Sequence, residues 1–138
     1  MVCGKGAIRM PYQNYNPNPN HSRVGDCAVR AIAKATGRSW EEAFTALCAA
    51  GYAMRDMPSS DAVWGGMLRS EGFHKRAVPD TCPDCYTLAR FAEDHPDGVY
   101  VVKVDGHVVA CEGGDYFDTW DSGEEVPIYY FERMTQGG

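Results

Sequence analysis

The chain has 138 residues, of which 44% are hydrophobic and 23% are charged, as is usual for a soluble domain that buries its own core. Its 13 basic and 19 acidic side chains give a net charge of −6, which disfavours nucleic-acid binding because such proteins carry a basic face. No apolar run reaches the roughly 18 to 20 residues of a membrane span, and the amino terminus lacks the apolar segment of a secretory signal, so we expect a cytoplasmic protein that binds no membrane.

Residues 1–20 are rich in turn-forming residues and end in the stretch NYNPNPN. Alternating Asn and Pro disfavour both a helix and a central strand. The sequence therefore predicts an extended lead-in over 1–20 that lies on the surface of a single domain spanning 21–138.

Capping and stop signals predict two helices directly after the lead-in. The first begins at Cys27 with Asp26 as its N-cap, and it ends at Gly37. The second opens with the capping box SWEE at 39–42 and ends at Gly51. Small apolar residues on the first helix allow close packing, so we expect that helix to be central.

Two further helices and four strands are predicted in the rest of the chain, where β-branched and aromatic residues become frequent. The expected ranges are helices within 58–72 and around 84–94, then strands at 99–104, 107–111, 116–120 and 126–133. Helices followed by an antiparallel sheet indicate the α+β class.

Cys27 stands at the start of the first predicted helix, where the helix dipole and the free amide groups favour a thiolate. The backbone amide of Cys27 can also donate to a developing oxyanion. A small thiol buried as an ordinary hydrophobe is the alternative interpretation, and the first helix alone does not separate the two.

The stretch GHVVACEGGDYFDTW predicts a β-hairpin in which Cys111 lies opposite Tyr116. In that register His107 and Asp118 share a face as diagonal neighbours, so the carboxylate can orient the imidazole. Asp121 falls on the other face, although a shift of one residue would reverse this choice.

A nucleophilic cysteine needs a base, and the base needs a group that orients it. Cys27, His107 and Asp118 are predicted to form such a triad. For His107 alone, a polar residue satisfied by a nearby carboxylate is the alternative. A carboxylate at position 118, within an apolar strand, requires a partner in either case.

This order of residues resembles the papain-like cysteine peptidase superfamily, with a Cys at a helix start, a His opening a strand and an acid or amide on the next strand. The stretch Asp118-Thr119-Trp120 is similar to the Asn-Ser-Trp stretch of papain, which implies that Trp120 shields the site. The segment GDCAVRA at 25–31 resembles the nucleophile signature of the ovarian-tumour (OTU) deubiquitinases, and short phage and bacterial proteins are similar at both motifs.

Two positions depart from these patterns. Val24 replaces the acidic residue that opens the OTU signature, and His21 stands where a papain-type enzyme has its oxyanion glutamine. Asn20 is the nearest amide and is the candidate oxyanion donor. A turn-former within the Asn/Pro tract is the alternative interpretation of Asn20.

The resemblance implies a papain-like α+β fold and a thiol hydrolase that cleaves a peptide, isopeptide or thioester bond through an acyl-enzyme. A protein or peptide, ubiquitin-like conjugates included, would be the substrate, and no cofactor is needed. The alternatives are an acyltransferase or transglutaminase-like enzyme with the same triad, and a non-enzymatic phage or host-interaction module on the same fold.

The six cysteines are expected to be free thiols, because the proposed setting is reducing and the chain is long enough for a core without disulfides. Cys82 and Cys85 form a CxxC pair, which is half a zinc site or a redox pair. No second ligand pair at zinc spacing exists, so we expect no metal and interpret the pair as part of a loop that leads into a helix.

Overall fold

Within residues 11–78 and 86–133, which the computed structural model describes, the chain forms four helices and six strands. The helices are α1 (Cys27–Thr36), α2 (Trp40–Met54), α3 (Asp61–Ser70) and α4 (Leu88–Asp94). The strands are β1 (Tyr12–Asn14), β2 (Phe73–Ala77), β3 (Val99–Val104), β4 (His107–Glu112), β5 (Asp115–Asp118) and β6 (Tyr129–Arg133). The predicted α+β class is confirmed.

The six strands form one sheet in the order β1-β5-β4-β3-β6-β2. All neighbouring strands are antiparallel except β1, which pairs in parallel with β5 through Tyr12 and Tyr116. The prediction of an entirely antiparallel sheet is therefore wrong at this edge. Residues 12–14 lie between Pro11 and Pro17 and keep the amide groups that strand pairing needs.

Strand β2 is a second edge strand, and the sequence pattern does not predict it. It pairs with β6, and four of its five residues are exposed. The sequence FHKRA has no alternation of apolar and polar residues, so the pattern that indicates a half-buried strand is missing.

Helices cover both faces of the sheet. Val101 and Ala110 pack into one core together with α1, α2 and α3, whereas Val102 and Val109 pack into another together with α4. Neighbouring residues of β3 and β4 are therefore both buried, as is usual for central strands covered on two sides. Helix α1 packs against β4, which brings the start of the helix to the sheet.

The ends of the helices agree with the predictions in part. Gly37 ends α1 in a left-handed conformation, as predicted, but Asp26 makes no capping hydrogen bond with its side chain. The predicted capping is wrong because the Asp26 carboxylate bonds Arg30 and the Trp40 indole instead. The capping box of α2 is confirmed, although this helix continues past Gly51 to Met54.

Three other elements are shorter than predicted. Strand β5 ends at Asp118, and β6 begins only at Tyr129. Helix α4 begins at Leu88, capped by Thr87, while the first two residues of its predicted range lie outside the described residues.

Candidate active site

The start of one helix, the start of one strand and the end of another strand meet, and this brings the three residues of the predicted triad together. Cys27 is the first residue of α1, His107 is the first of β4, and Asp118 is the last of β5. The hairpin has the expected register, with Cys111 opposite Tyr116, so the first residue of β4 and the last of β5 lie at one end of the sheet.

The His107 imidazole lies between the other two members of the triad. Its Nε2 lies 2.6 Å from the Oδ2 of Asp118, and the Cys27 thiol is near enough to contribute to the pKa of the ring. Because the carboxylate occupies Nε2, Nδ1 is the ring nitrogen left for the sulfur. Cys27, His107 and Asp118 therefore stand in the order of a nucleophile, a base and its orienting group.

The pKa values of the cysteine and the histidine move in opposite directions. Burial alone would lower the pKa of His107, but the hydrogen bond to Asp118 and the nearby Cys27 thiol outweigh it and raise this pKa to about 9. Burial alone would raise the pKa of Cys27, but the His107 imidazole and the backbone of Val108 bring it below its ordinary value. Both shifts favour a thiolate paired with an imidazolium.

The Asp118 carboxylate is only 1% exposed and is fully surrounded by donors. Its Oδ2 accepts from His107 and from the Ser122 hydroxyl at 2.6 Å, and its Oδ1 accepts from the Thr119 amide at 2.8 Å and from Arg30 at 3.1 Å. Burial would raise the pKa of Asp118, but the bonds from His107 and Ser122 outweigh it and hold this pKa below its usual range. A charged carboxylate is therefore stable here.

Arg30 extends the series of contacts beyond the triad. Its guanidinium is buried and bonds both Asp118 and Asp26, and Asp26 also accepts from the Trp40 Nε1 at 2.9 Å. Arg30 has no predicted role in the sequence motifs. The signal that could have found it is an arginine inside an otherwise apolar helical stretch, because a buried cation needs anionic partners.

Trp120 lies beside His107. The centroids of the two rings are 5.2 Å apart, with an angle of 34° between the planes. Trp120 is 40% exposed, so it covers one side of the imidazole while its outer surface meets solvent. This position agrees with a shielding role.

The candidate oxyanion donors lie at the first residue of α1 and on the loop before this helix. The first hydrogen bond of the helix runs from Arg30 to Asp26, which leaves the Cys27 amide without a partner inside the helix. Asn20 is exposed, and its backbone amide donates to the Oδ1 of Asn18 at 2.9 Å. Within the described residues no hydrogen bond joins the Asn20 side chain to the site, and its oxyanion role stays a prediction.

Besides Cys27, the described residues include two further free cysteines, Cys48 and Cys111. Cys111 is buried against Tyr116, and burial raises the pKa of its thiol, so it is a hydrophobic neighbour. Cys82 and Cys85 lie outside the described residues. In the described ranges, no three His, Cys, Asp or Glu side chains group as metal ligands, and no helix has both the length and the apolar character of a membrane crossing.

No family model matches this sequence, and no curated protein and no solved structure matches it either. The fold and the site define the class of protein: an α+β domain whose first helix and mixed sheet bring a cysteine, a histidine and an aspartate together, with the histidine hydrogen-bonded to the aspartate.

Replacing Arg30 by Met is expected to lower the free energy of unfolding by about 3–5 kcal/mol, because it leaves Asp26 and Asp118 buried without their cation. Arg30→Lys keeps the charge but lacks the two separate Nη groups that bond the two carboxylates, so a smaller loss of unfolding free energy is expected. Urea unfolding followed by tryptophan fluorescence measures both.

Arg38→Met is the matched control for this prediction. Arg38 pairs with Glu71 at 2.8 Å on the surface, where an ion pair contributes about 0–1 kcal/mol. Equal losses for the Arg30→Met and Arg38→Met variants would contradict the role assigned to the buried pair.

Proposed function

We propose that this protein is a cysteine-dependent hydrolase with a papain-like arrangement of its catalytic residues, in which Cys27 is the nucleophile, His107 the base and Asp118 the orienting group. The observation that carries the proposal is that the ends of α1, β4 and β5 bring the three side chains together, with the Nε2 of His107 held by Asp118 at 2.6 Å and the Cys27 thiol near enough to the ring to affect its pKa. The directions of the two pKa shifts support it, since they favour a thiolate near neutral pH.

In the proposed reaction the thiol proton already resides on His107, and the Cys27 thiolate attacks a carbonyl carbon. The backbone amide of Cys27 donates to the oxyanion that forms. The imidazolium then gives its proton to the leaving group, and an acyl-enzyme remains. His107 next removes a proton from water, which attacks the thioester and frees the sulfur.

The carboxylate of Asp118 has two effects in this reaction. It fixes the ring so that Nδ1 faces the sulfur, and it stabilises the imidazolium that each half-reaction creates. A peptide, isopeptide or thioester carbonyl suits this chemistry, which points to a protein or peptide as substrate. A reducing, cytoplasmic setting belongs to the proposal because the thiol must remain unoxidised.

At pH 6, iodoacetamide is expected to alkylate Cys27 at least about tenfold faster than Cys48, because an ordinary thiol is only roughly 0.3% ionised at that pH. Both cysteines are half-buried, so exposure does not favour either. Mass spectrometry of peptides from quenched samples gives the two rates.

The His107→Ala variant is expected to slow Cys27 to the rate of Cys48, since the partner that stabilises the thiolate is gone. Alkylation of Cys48 in the same sample is the internal control. If Cys27 in the wild type reacts no faster than Cys48, the proposed nucleophile is wrong.

With 4-nitrophenyl acetate, the wild type is expected to release a burst of one 4-nitrophenol per chain and then to turn over steadily, with acetyl found on Cys27 by mass spectrometry. His107→Ala is expected to acylate slowly and to remain acylated, because no base activates water. Absorbance of 4-nitrophenol measures both phases.

The Cys27→Ala variant is the control for this experiment, and a burst that persists in it would contradict the assignment. Turnover that needs an added amine would identify an acyltransferase. A wild type with no burst and no acetylated Cys27 would instead support a non-enzymatic module.

A further inference from the structure

A cavity of about 500 Å³ adjoins the amino-terminal end of α1, and none of the proposed chemical steps uses it. Its walls come from the loop before α1, from α1 and α2, and from the loop before α3. Asp26 and Ala28, the residues on either side of Cys27, both line it. Sites for small ligands are typically about 300–1,000 Å³, so the cavity has the size of a binding site.

The cavity wall is mainly apolar. Val24, Phe44 and Met57 contribute to it, and they are 54%, 44% and 67% exposed. The Trp40 and Phe44 rings stack with centroids 5.0 Å apart and form a flat side to the cavity. Clustered apolar side chains that remain open to solvent mark a place where an apolar group binds.

Two buried polar side chains also line the cavity, Asn18 and Asp26, and the Asp26 carboxylate is already bonded to Arg30 and Trp40. Asn18 is 7% exposed, and its Oδ1 accepts the Asn20 amide at 2.9 Å. That bond identifies Oδ1, and the Nδ2 of Asn18 bonds no acceptor within residues 11–78 and 86–133. The amide group of Asn18 is therefore a free donor in a mainly apolar wall.

The reaction geometry indicates which part of a substrate the cavity faces. The leaving group must accept a proton from His107, so it lies on the sheet side of Cys27. The walls of the cavity come from helices and loops, including the loop that ends beside Cys27. The acyl part of the substrate leads away from the leaving group, along this loop and towards the cavity.

We propose that this cavity binds the apolar side chain next to the scissile carbonyl, on the acyl side of the substrate, and that the Nδ2 of Asn18 donates to a carbonyl oxygen of the same acyl part. This inference rests on the proposed function. It defines the substrate class as peptide-like acyl groups with a side chain such as Leu, in preference to Gly or an acidic residue.

The test compares the N-acetyl-leucine and N-acetyl-glycine chloromethyl ketones, which alkylate Cys27 by forming a carbon–sulfur bond and releasing chloride. The leucine reagent is expected to label Cys27 at least about tenfold faster than the glycine reagent, because only its side chain is buried in the cavity. Iodoacetamide, which has no side chain, measures the intrinsic reactivity of the thiol in the same samples.

Phe44→Asp is expected to reduce the leucine-to-glycine ratio to about one and to leave the iodoacetamide rate unchanged. Tyr52→Asp is the matched control, because Tyr52 is an aromatic residue of the same helix that is 76% exposed and lies outside the cavity wall. Asn18→Asp keeps the acceptor for Asn20 and removes the donor, so it is expected to slow both ketones but not iodoacetamide.

Each result separates the two proposals. Fast labelling of Cys27 by iodoacetamide with equal rates for the two ketones would overturn the cavity proposal and leave the proposed function intact. The cavity proposal is also overturned if Phe44→Asp preserves the ratio, or if sedimentation shows a dimer that Phe44→Asp dissociates and Tyr52→Asp does not, since a second copy would then fill the cavity. Slow labelling of Cys27 by iodoacetamide would overturn both proposals.

Discussion

The rest of the site depends on how the buried carboxylate of Asp118 is satisfied. A carboxylate that is 1% exposed must be paired and hydrogen-bonded, or it loses its charge. Arg30 supplies the counter-charge from α1, and His107 and Ser122 supply bonds from the sheet and the loop that follows. Because Arg30 and Cys27 belong to the same helix, the ion pair that neutralises Asp118 also fixes the position of the thiol relative to the imidazole.

The same arrangement explains the charge on each group of the site. Asp26 shares the Arg30 guanidinium, so Asp118 keeps enough negative charge to stabilise an imidazolium at His107. The imidazolium in turn lowers the pKa of Cys27, although burial of the thiol acts in the opposite direction. Negative and positive groups alternate along the series Asp26, Arg30, Asp118, His107 and Cys27. Removing any one of them leaves its neighbours without a counter-charge at a site that is largely shielded from water.

Local patterns in the sequence predicted much of the fold and the relative placement of the three candidate catalytic residues. The hairpin register, with Cys111 opposite Tyr116, follows from alternation and a short loop, which are local properties. The role of Arg30 could not be predicted in this way, because the side chain is buried only once the helix packs on the sheet. Asp26 resembles a helix cap in the sequence, and only its contact with Arg30 shows its other role. The two edge strands could not be predicted either, because β1 pairs with β5 and β2 pairs with β6, each more than 50 residues away in sequence.

An NMR titration of the imidazole nitrogens shows whether His107 is an imidazolium held between Asp118 and the Cys27 thiolate. We expect His107 to remain protonated at neutral pH and to titrate near pH 9, with a lower pKa in the Cys27→Ala variant because the thiolate no longer contributes. A His107→Gln variant assigns the resonances. Titration of His107 near its ordinary value of about 6.5, unchanged by Cys27→Ala, would show that the imidazolium and the thiolate do not form a pair.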